Sequence, residues 1–335
     1  MVAGAPYGFR HRARLAIRGR SANPKLGIFQ LGTHRVVHIP DCRIHHPLIN
    51  GVARVVRRAL VEHGVPPYSD VAHAGRARAL QVVIERGTER AQVVLITNDT
   101  APDGLEPVFA AIRDGLGAQL HSLFWNGNPE RTNTVLGGLW RQISGPDAVV
   151  EVVGGVRLHY PPGAFGQSNL PLAERLAARV AELVPDDRRV LELYAGTGAL
   201  GLPLAARSRA LAVNEIGEHS LAGLALGIAE LPPEVRARIR VHPGAADAAA
   251  AFVAESDVVV ADPPRKGLDR GVIEALLAAP PERFVYVSCG LDSFLVQADE
   301  LLGDGRFALS LLEAFALFPF TEHVETVALF EARRA

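Results

Sequence analysis

Three side chains in the second half of this chain have types and spacing suited to covalent chemistry. Cys289 ends the strand-forming run Val285-Tyr-Val-Ser-Cys289 and is one of two cysteines in 335 residues. Asp262 ends a second such run, Asp257-Val-Val-Val-Ala-Asp262, and opens the loop Asp262-Pro-Pro-Arg265; Glu325 closes His323-Val-Glu325. A thiolate that adds to carbon 6 of a pyrimidine makes carbon 5 enolate-like, able to attack an electrophilic methyl group. A separate base must then remove the carbon-5 proton before the thiolate can leave. Cys289 suits the first step, because ligands of open α/β sheets bind at the carboxyl ends of strands. A competing reading is available for each residue. A lone cysteine after an apolar strand is most often a small buried hydrophobe, and Glu325 reads equally as an exposed acid ahead of a strand over 326–330. The residue pattern alone leaves both readings open.

Upstream lies a stretch suited to a nucleotide. Arg189-Val-Leu-Glu192-Leu-Tyr-Ala-Gly196-Thr-Gly198-Ala-Leu-Gly201 reads as a strand, a glycine turn and the start of a helix. Glycines permit positive φ and close backbone approach, and a helix N-terminus offers unpaired N–H groups. Glu192, before the loop, would repel a pyrophosphate but suits a cationic amino acid such as that of S-adenosylmethionine. Glu215, at the end of the next strand, suits two ribose hydroxyls. A glycine pattern by itself is equally a tight βα turn. The two acids and the strand–helix context favour an adenosine cofactor, a methyl donor over NAD.

These residues need a scaffold, and the chain supplies two patterns. From residue 161 strands and helices alternate: strand 189–193, helix 200–207, strand 210–213, helix 219–229, strand 235–242, strand 257–261, helix 271–277 and strand 284–288. Such alternation predicts a mostly parallel, doubly wound, Rossmann-like sheet. The tail, 307–315 and 324–331, reads as a strand pair with no helix between, giving an antiparallel C-terminal strand. Residues 1–160 read instead as an α+β domain, with strands over 12–17, 25–30, 79–86 and 92–97 and helices over 47–63 and 105–116. The expected organisation is a platform domain for a partner over 1–160 and a cofactor-binding domain over 161–335.

Composition narrows the class. Charged residues make up 21% and hydrophobic ones 48%, as in ordinary globular proteins. No apolar run approaches about 18 residues and the N-terminus carries no apolar leader, so neither a membrane partner nor secretion is expected. Two cysteines cannot hold a four-thiolate iron–sulfur cluster, and a cytoplasmic, thiol-reduced protein without a metal site is expected. The net charge of −1 hides a split: residues 1–160 carry 19 Lys and Arg against 12 Asp and Glu, and residues 161–335 carry 16 against 24. In the first 45 residues eight cations (Arg10, Arg12, Arg14, Arg18, Arg20, Lys25, Arg35 and Arg43) face one acid, Asp41. This suggests a polyanion partner, or a solvated strand face, since Arg10, Arg12 and Arg14 alternate.

The second half resembles the RNA uracil-C5 methyltransferases, a class I S-adenosylmethionine-dependent family acting on tRNA and 23S ribosomal RNA. The matching motifs are Phe165-Gly-Gln167-Ser-Asn169, Glu192-Leu-Tyr-Ala-Gly-Thr-Gly198, Asp262-Pro-Pro-Arg-Lys-Gly267-Leu, Tyr286-Val-Ser-Cys289 and Phe318-Pro-Phe-Thr-Glu-His-Val-Glu325, in the family's order. The first half is similar more faintly, through Phe9-Arg-His-Arg12, the stretch around Asp41-Cys42 and Asn128-Pro-Glu-Arg-Thr-Asn133-Thr-Val-Leu-Gly137. The resemblance implies Cys289 as nucleophile and Glu325 as the base for the carbon-5 proton. Gln167, Tyr194, Glu215 and Asp262 would line S-adenosylmethionine, with Asp262 between methyl donor and target base. Arg265 would touch the RNA backbone or form a structural ion pair, and His323 would orient Glu325 or fill space. The implied partner is RNA, a tRNA or 23S rRNA, which makes residues 1–160 an RNA-binding platform domain and residues 161–335 an S-adenosylmethionine-dependent methyltransferase domain.

The chain also departs from the family. Nothing before Arg10 supplies the small β-barrel domain that members often carry, and the four-cysteine cluster of many members is missing. Gly290 follows the nucleophile position, where members often have Asn. Two other readings share these residues. RNA cytosine-C5 methylation uses the same thiolate route, but the resembling enzymes place a cysteine after a proline in the loop that here reads Asp262-Pro-Pro-Arg265. A catalytically silent RNA-binding protein is the other, and retention of Cys289 with Glu325 argues against it.

Overall fold

Every second residue of the first strand, Ala13, Leu15 and Ile17, is buried, so β1 (Arg12–Arg20) lays one face on a core and turns Arg12, Arg14 and Arg18 to the other. The computed structural model describes residues 1–303 and 305–333. They fall into two units, Tyr7–Val150 and Met1–Pro6 with Glu151–Ala335.

In the first unit β1 is followed by β2 (Asn23–Phe29), β3 (Val36–His38), α1 (Pro47–Glu62), β4 (Ala77–Glu85), β5 (Arg90–Thr97), α2 (Glu106–Leu116), β6 (Leu120–Gly127) and β7 (Leu139–Ser144). The sheet order is β3-β2-β1-β4-β5-β6-β7. Only β5 and β6 pair parallel, and α2 makes the crossover between them. Helix α1 begins where Pro47 pre-sets φ and the His46 ring accepts from the Leu48 N–H at 3.3 Å. Its stripe Ile49, Val52, Val56 and Leu60 packs with Val108, Phe109 and Ile112 of α2 over Leu15, Leu80, Val82, Val93 and Leu95. Each such side chain, fully buried, contributes roughly 1.5–3 kcal/mol.

Strand β8 (Val149–Val153) runs across the boundary into the second unit and forms a hairpin with β9 (Val156–Tyr160), followed by α3 (Leu170–Leu183) and β10 (Arg189–Leu193). There follow β11 (Ala210–Glu215), α4 (Glu218–Ala229), the turn α5 (Pro233–Arg236), β12 (Ile239–Pro243), the turn α6 (Ala246–Ala249) and β13 (Val258–Ala261). The unit closes with α7 (Arg270–Ala278), β14 (Arg283–Ser288), α8 (Leu291–Gly303), β15 (Phe307–Phe315) and β16 (Glu325–Ala332). The order is β12-β11-β10-β13-β14-β16-β15, parallel except for β16, which runs antiparallel to both neighbours. This is a mostly parallel, doubly wound sheet with one antiparallel strand near its edge.

The two units divide at 150/151, within β8, and β9 packs on α4: a Cβ at Gly223 would collide with the His159 carbonyl. Met1–Pro6 also belongs to the second unit, where Val2 donates to Ala314 O at 2.7 Å. The helix expected over 200–207 is only a 3₁₀ turn, Leu202–Leu204, since Pro203 cannot continue an α-helical ladder. The strand expected over 235–242 begins with the turn α5, and only its second part is extended.

Candidate active site

Strand order brings Cys289, Asp262 and Glu325 to one end of the second sheet. Cys289 follows the last residue of β14, and Asp262 follows the last residue of its neighbour β13, whose Ala261 pairs with Tyr286. In the antiparallel pairing of β14 with β16, Thr326 faces Ser288. The next rung therefore sets Glu325 alongside Cys289. Sequence separations of 27 and 36 residues collapse into adjacent strand ends.

The electrostatics of this trio are unusual. Glu325 is 1% exposed, and both its carboxyl oxygens are buried without a hydrogen-bond partner. Burial first, then the Asp262 charge, pushes its carboxyl up to about 8, with Arg265 pulling the other way. Burial likewise raises Asp262, to about 7. The half-buried Cys289 thiol is pushed up by its burial and by both carboxylates, and Arg265 again opposes. The two carboxyls titrate as a pair near neutral pH, which is where a general base works best. Buried acids without partners cost stability and concentrate at functional sites.

The glycine loop leaves the carboxyl end of β10, which stands at the switch point of the strand order, with β11 on one side and β13 on the other. Gly196 and Gly198 take φ of 59° and 87°, and a Cβ on Gly196 would meet open space. Glu215 stabilises the loop itself: Oε2 accepts from Gly196 N–H at 2.7 Å, and Oε1 accepts from Ile216 and Gly217 N–H at 2.9 and 2.6 Å. A carboxylate has about four acceptor sites, so capacity for a ribose hydroxyl remains. Glu192 lies beneath the loop, 1% exposed, with burial pushing it up to about 8; a Cβ on Gly201 would collide with its carboxyl. Glu192 Oε2 and Thr197 Oγ1 are buried polar atoms without partners. Tyr194 holds a φ of 60°, rare for a bulky side chain. Its hydroxyl donates to Asp269 Oδ2 at 3.2 Å and accepts from Asp269 N–H at 2.9 Å. Gln167 is half-buried in the segment before α3.

Several supporting residues were not read from the sequence. Gln297 of α8 clamps the Asp262 loop: Oε1 accepts from Leu268 N–H at 3.0 Å and from Tyr286 O–H at 2.6 Å, and Nε2 donates to Leu268 O at 3.0 Å. Gly290 has a local reason, because a Cβ there would lie 2.5 Å from Arg265 O, which Ser293 Oγ approaches to 2.9 Å. The signal for Gln297 was a polar residue at helical spacing within the stripe Phe294, Ala298 and Leu301. Asp247 accepts from Gly271 N–H at 3.0 Å in the first turn of α7. His323 packs its ring against Phe318 at 6.4 Å and makes no hydrogen bond to the unpartnered Glu325 carboxyl. The exposed Arg265 acts on Cys289 and Glu325 through its charge.

Comparisons with known proteins agree with this geometry. Residues 250–333 match the family described as tRNA (Uracil-5-)-methyltransferase. The chain is 35% identical over 334 residues to an uncharacterized RNA methyltransferase of Protochlamydia amoebophila, across 98% of this chain and 87% of that one. A Gloeobacter violaceus RNA methyltransferase, also uncharacterized, is 30% identical over 346 residues, 97% of this chain and 71% of its own. Among solved structures, the Pyrococcus abyssi tRNA (uracil-54, C5)-methyltransferase in complex with S-adenosyl-L-homocysteine superposes with a TM-score of 0.80. That match covers 97% of this chain and 75% of the other at 22% identity, and shows a common fold.

Proposed function

Because the chain belongs to the RNA uracil-5 methyltransferase family, we propose that it methylates carbon 5 of a uridine in a structured RNA, a tRNA or 23S rRNA, in the cytoplasm. The observation that carries this reading is the β14–β16 register, which sets an unpartnered buried glutamate beside a cysteine.

S-adenosylmethionine fits the residues present: open space over Gly196, spare acceptor capacity on Glu215, and orphaned polar atoms on Glu192 and Thr197. Gln167, Tyr194, Glu215 and Asp262 would line it, and when bound it supplies the electrophilic methyl group that carbon 5 takes up. Cys289 loses its proton to Asp262, whose raised proton affinity makes it an acceptor of suitable strength and which returns the proton when the thiolate is released, so that Glu325 stays ionised for the later step. Its sulfur bonds to carbon 6, which places the electron pair at carbon 5. After methylation the Glu325 carboxylate removes the carbon-5 proton, the carbon 5–carbon 6 double bond re-forms and the carbon–sulfur bond breaks. Asp262, between donor and base, holds the reacting atoms in line.

Incubation with total tRNA and ribosomal RNA and labelled S-adenosylmethionine, followed by nucleoside analysis, tests the reading. Label in 5-methyluridine is expected. Label in 5-methylcytidine, or none, contradicts it.

A further inference from the structure

The β2–β3 hairpin, at the edge of the first unit's sheet, exposes apolar side chains on both faces and at its tip. Leu31 at the tip is 99% exposed; Ile28 (54%) and its cross-strand partner Val37 (50%) share one face, and Phe29 (41%) stands on the other with Lys25. Single exposed apolar side chains are normal on any surface, but four clustered at the end of one hairpin point to an interaction site. The hairpin is built to hold them outward. In its turn Gln30 N–H donates to Arg35 O at 2.8 Å, Thr33 N–H and Oγ1 both lie 3.0 Å from Gln30 O, and Gly32 takes a φ of 70°. Gly27 lets β3 close on β2, since a Cβ there would collide with the Val37 carbonyl. Behind the tip, Arg18 donates to both Asp70 oxygens at 2.6 and 2.9 Å and lies over the Phe29 ring, 5.2 Å from its centroid.

Charge selects the occupant. Residues 1–40 contain no Asp or Glu, and the exposed Arg20, Lys25 and Arg35 stand on or beside the hairpin. A second copy pairing along the open edge of β3 would bring these cations together, and the nearby acid Asp70 is already held by Arg18. A polyanion that also offers apolar faces is unstacked RNA, whose bases pack on apolar and aromatic side chains while cations take the phosphates. The cations expected to serve are engaged elsewhere: Arg10 Nε donates to Arg12 O at 3.1 Å and Arg14 Nε to Gln81 Oε1 at 2.7 Å.

We infer that the β2–β3 hairpin is an RNA-docking element, with Lys25 and Arg35 on phosphates and Leu31 against unstacked bases of a loop or bulge. This rests on the proposed function for the class of partner, but not on the catalytic step. The test is binding of labelled bulk tRNA and of 23S rRNA transcript to the full chain across a salt series. Lys25→Glu with Arg35→Glu should weaken binding to the preferred RNA at least tenfold and flatten the log–log salt slope by about 1.4–1.8, roughly 0.7–0.9 per phosphate contact. Leu31→Ser should weaken it about threefold or more with the slope unchanged. Thermal midpoint and S-adenosylhomocysteine affinity should stay at wild-type values; should the charge reversal disturb the fold, Arg35→Gln replaces it. RNA affinity within twofold of wild type in all variants overturns the inference. So does loss of binding to anionic phospholipid vesicles, or of a dimer, with RNA binding intact. If wild type forms no 5-methyluridine yet the variants lose RNA affinity, the catalytic reading fails and the docking element stands.

Discussion

Glu325 is a carboxyl that the protein buries, leaves without a hydrogen bond and sets near a second acid. Its proton affinity sets the pH at which the carbon-5 proton can leave. The account predicts that kcat rises with pH through about 7 to 8 and then levels, as the Asp262–Glu325 pair ionises. Arg265 lowers the Glu325 value, so Arg265→Gln should move that limb to higher pH. A limb near pH 4–5 in wild type would show that neither acid is displaced. Glu192 gives a linked prediction for stability. Its folded value of about 8 lies above the ordinary 4.5, so the folded state binds the extra proton between those pH values. Stability from this group is therefore complete below about 4.5 and lost as pH rises to about 8, at roughly 1.4 kcal/mol per pH unit. Glu192→Gln should raise Tm relative to wild type at pH 9 and leave it near wild type at pH 4; equal shifts at both would contradict the linkage. Glu215→Ala should weaken S-adenosylhomocysteine at least tenfold, since a hydrogen bond to a charged group contributes about 1.5–3 kcal/mol; calorimetry checks it.

Among elements, the loop after β13 carries Asp262 and is held from two sides, by Tyr194 through Asp269 and by Gln297 through Leu268. Gln297→Leu leaves the Tyr286 hydroxyl and both Leu268 backbone groups without their partner, at a cost of roughly 1–3 kcal/mol for each buried group. It should lower Tm by several degrees and reduce kcat more than S-adenosylhomocysteine affinity. A Tm and kcat both at wild-type values would show that the clamp is idle. Cys289, Asp262 and Glu325 were legible from residue type, because thiols and acids at strand ends are few. Their meeting was not, since it depends on β16 inserting between β14 and β15, and strand order leaves no trace in local periodicity. Helix α8 was missed altogether, and with it Gln297. Its apolar positions include exposed Leu291, Leu295 and Val296, which blur the buried stripe. The 3₁₀ turn at Leu202–Leu204 was read as a helix because Pro203 was weighed too lightly against its apolar neighbours.

For the whole molecule, the charge split in the sequence, a cation-rich first half and an acid-rich second half holding the candidate chemistry, fits the proposed division between RNA binding and catalysis. RNA affinity should therefore fall steeply with salt while S-adenosylhomocysteine affinity changes little; parallel losses of both would contradict that division. The central claim is a covalent path through Cys289, and it predicts a species containing protein and RNA together. Glu325→Gln permits addition and methyl transfer but not proton removal. Incubated with substrate RNA and S-adenosylmethionine, it should run as a protein–RNA adduct on a denaturing gel. The adduct should require the methyl donor and vanish when Cys289→Ala is added, while Cys42→Ala leaves it in place. A Cys289→Ala protein that still forms 5-methyluridine, or a Glu325→Gln protein that binds RNA and S-adenosylmethionine yet yields no Cys289-linked adduct, would contradict the account.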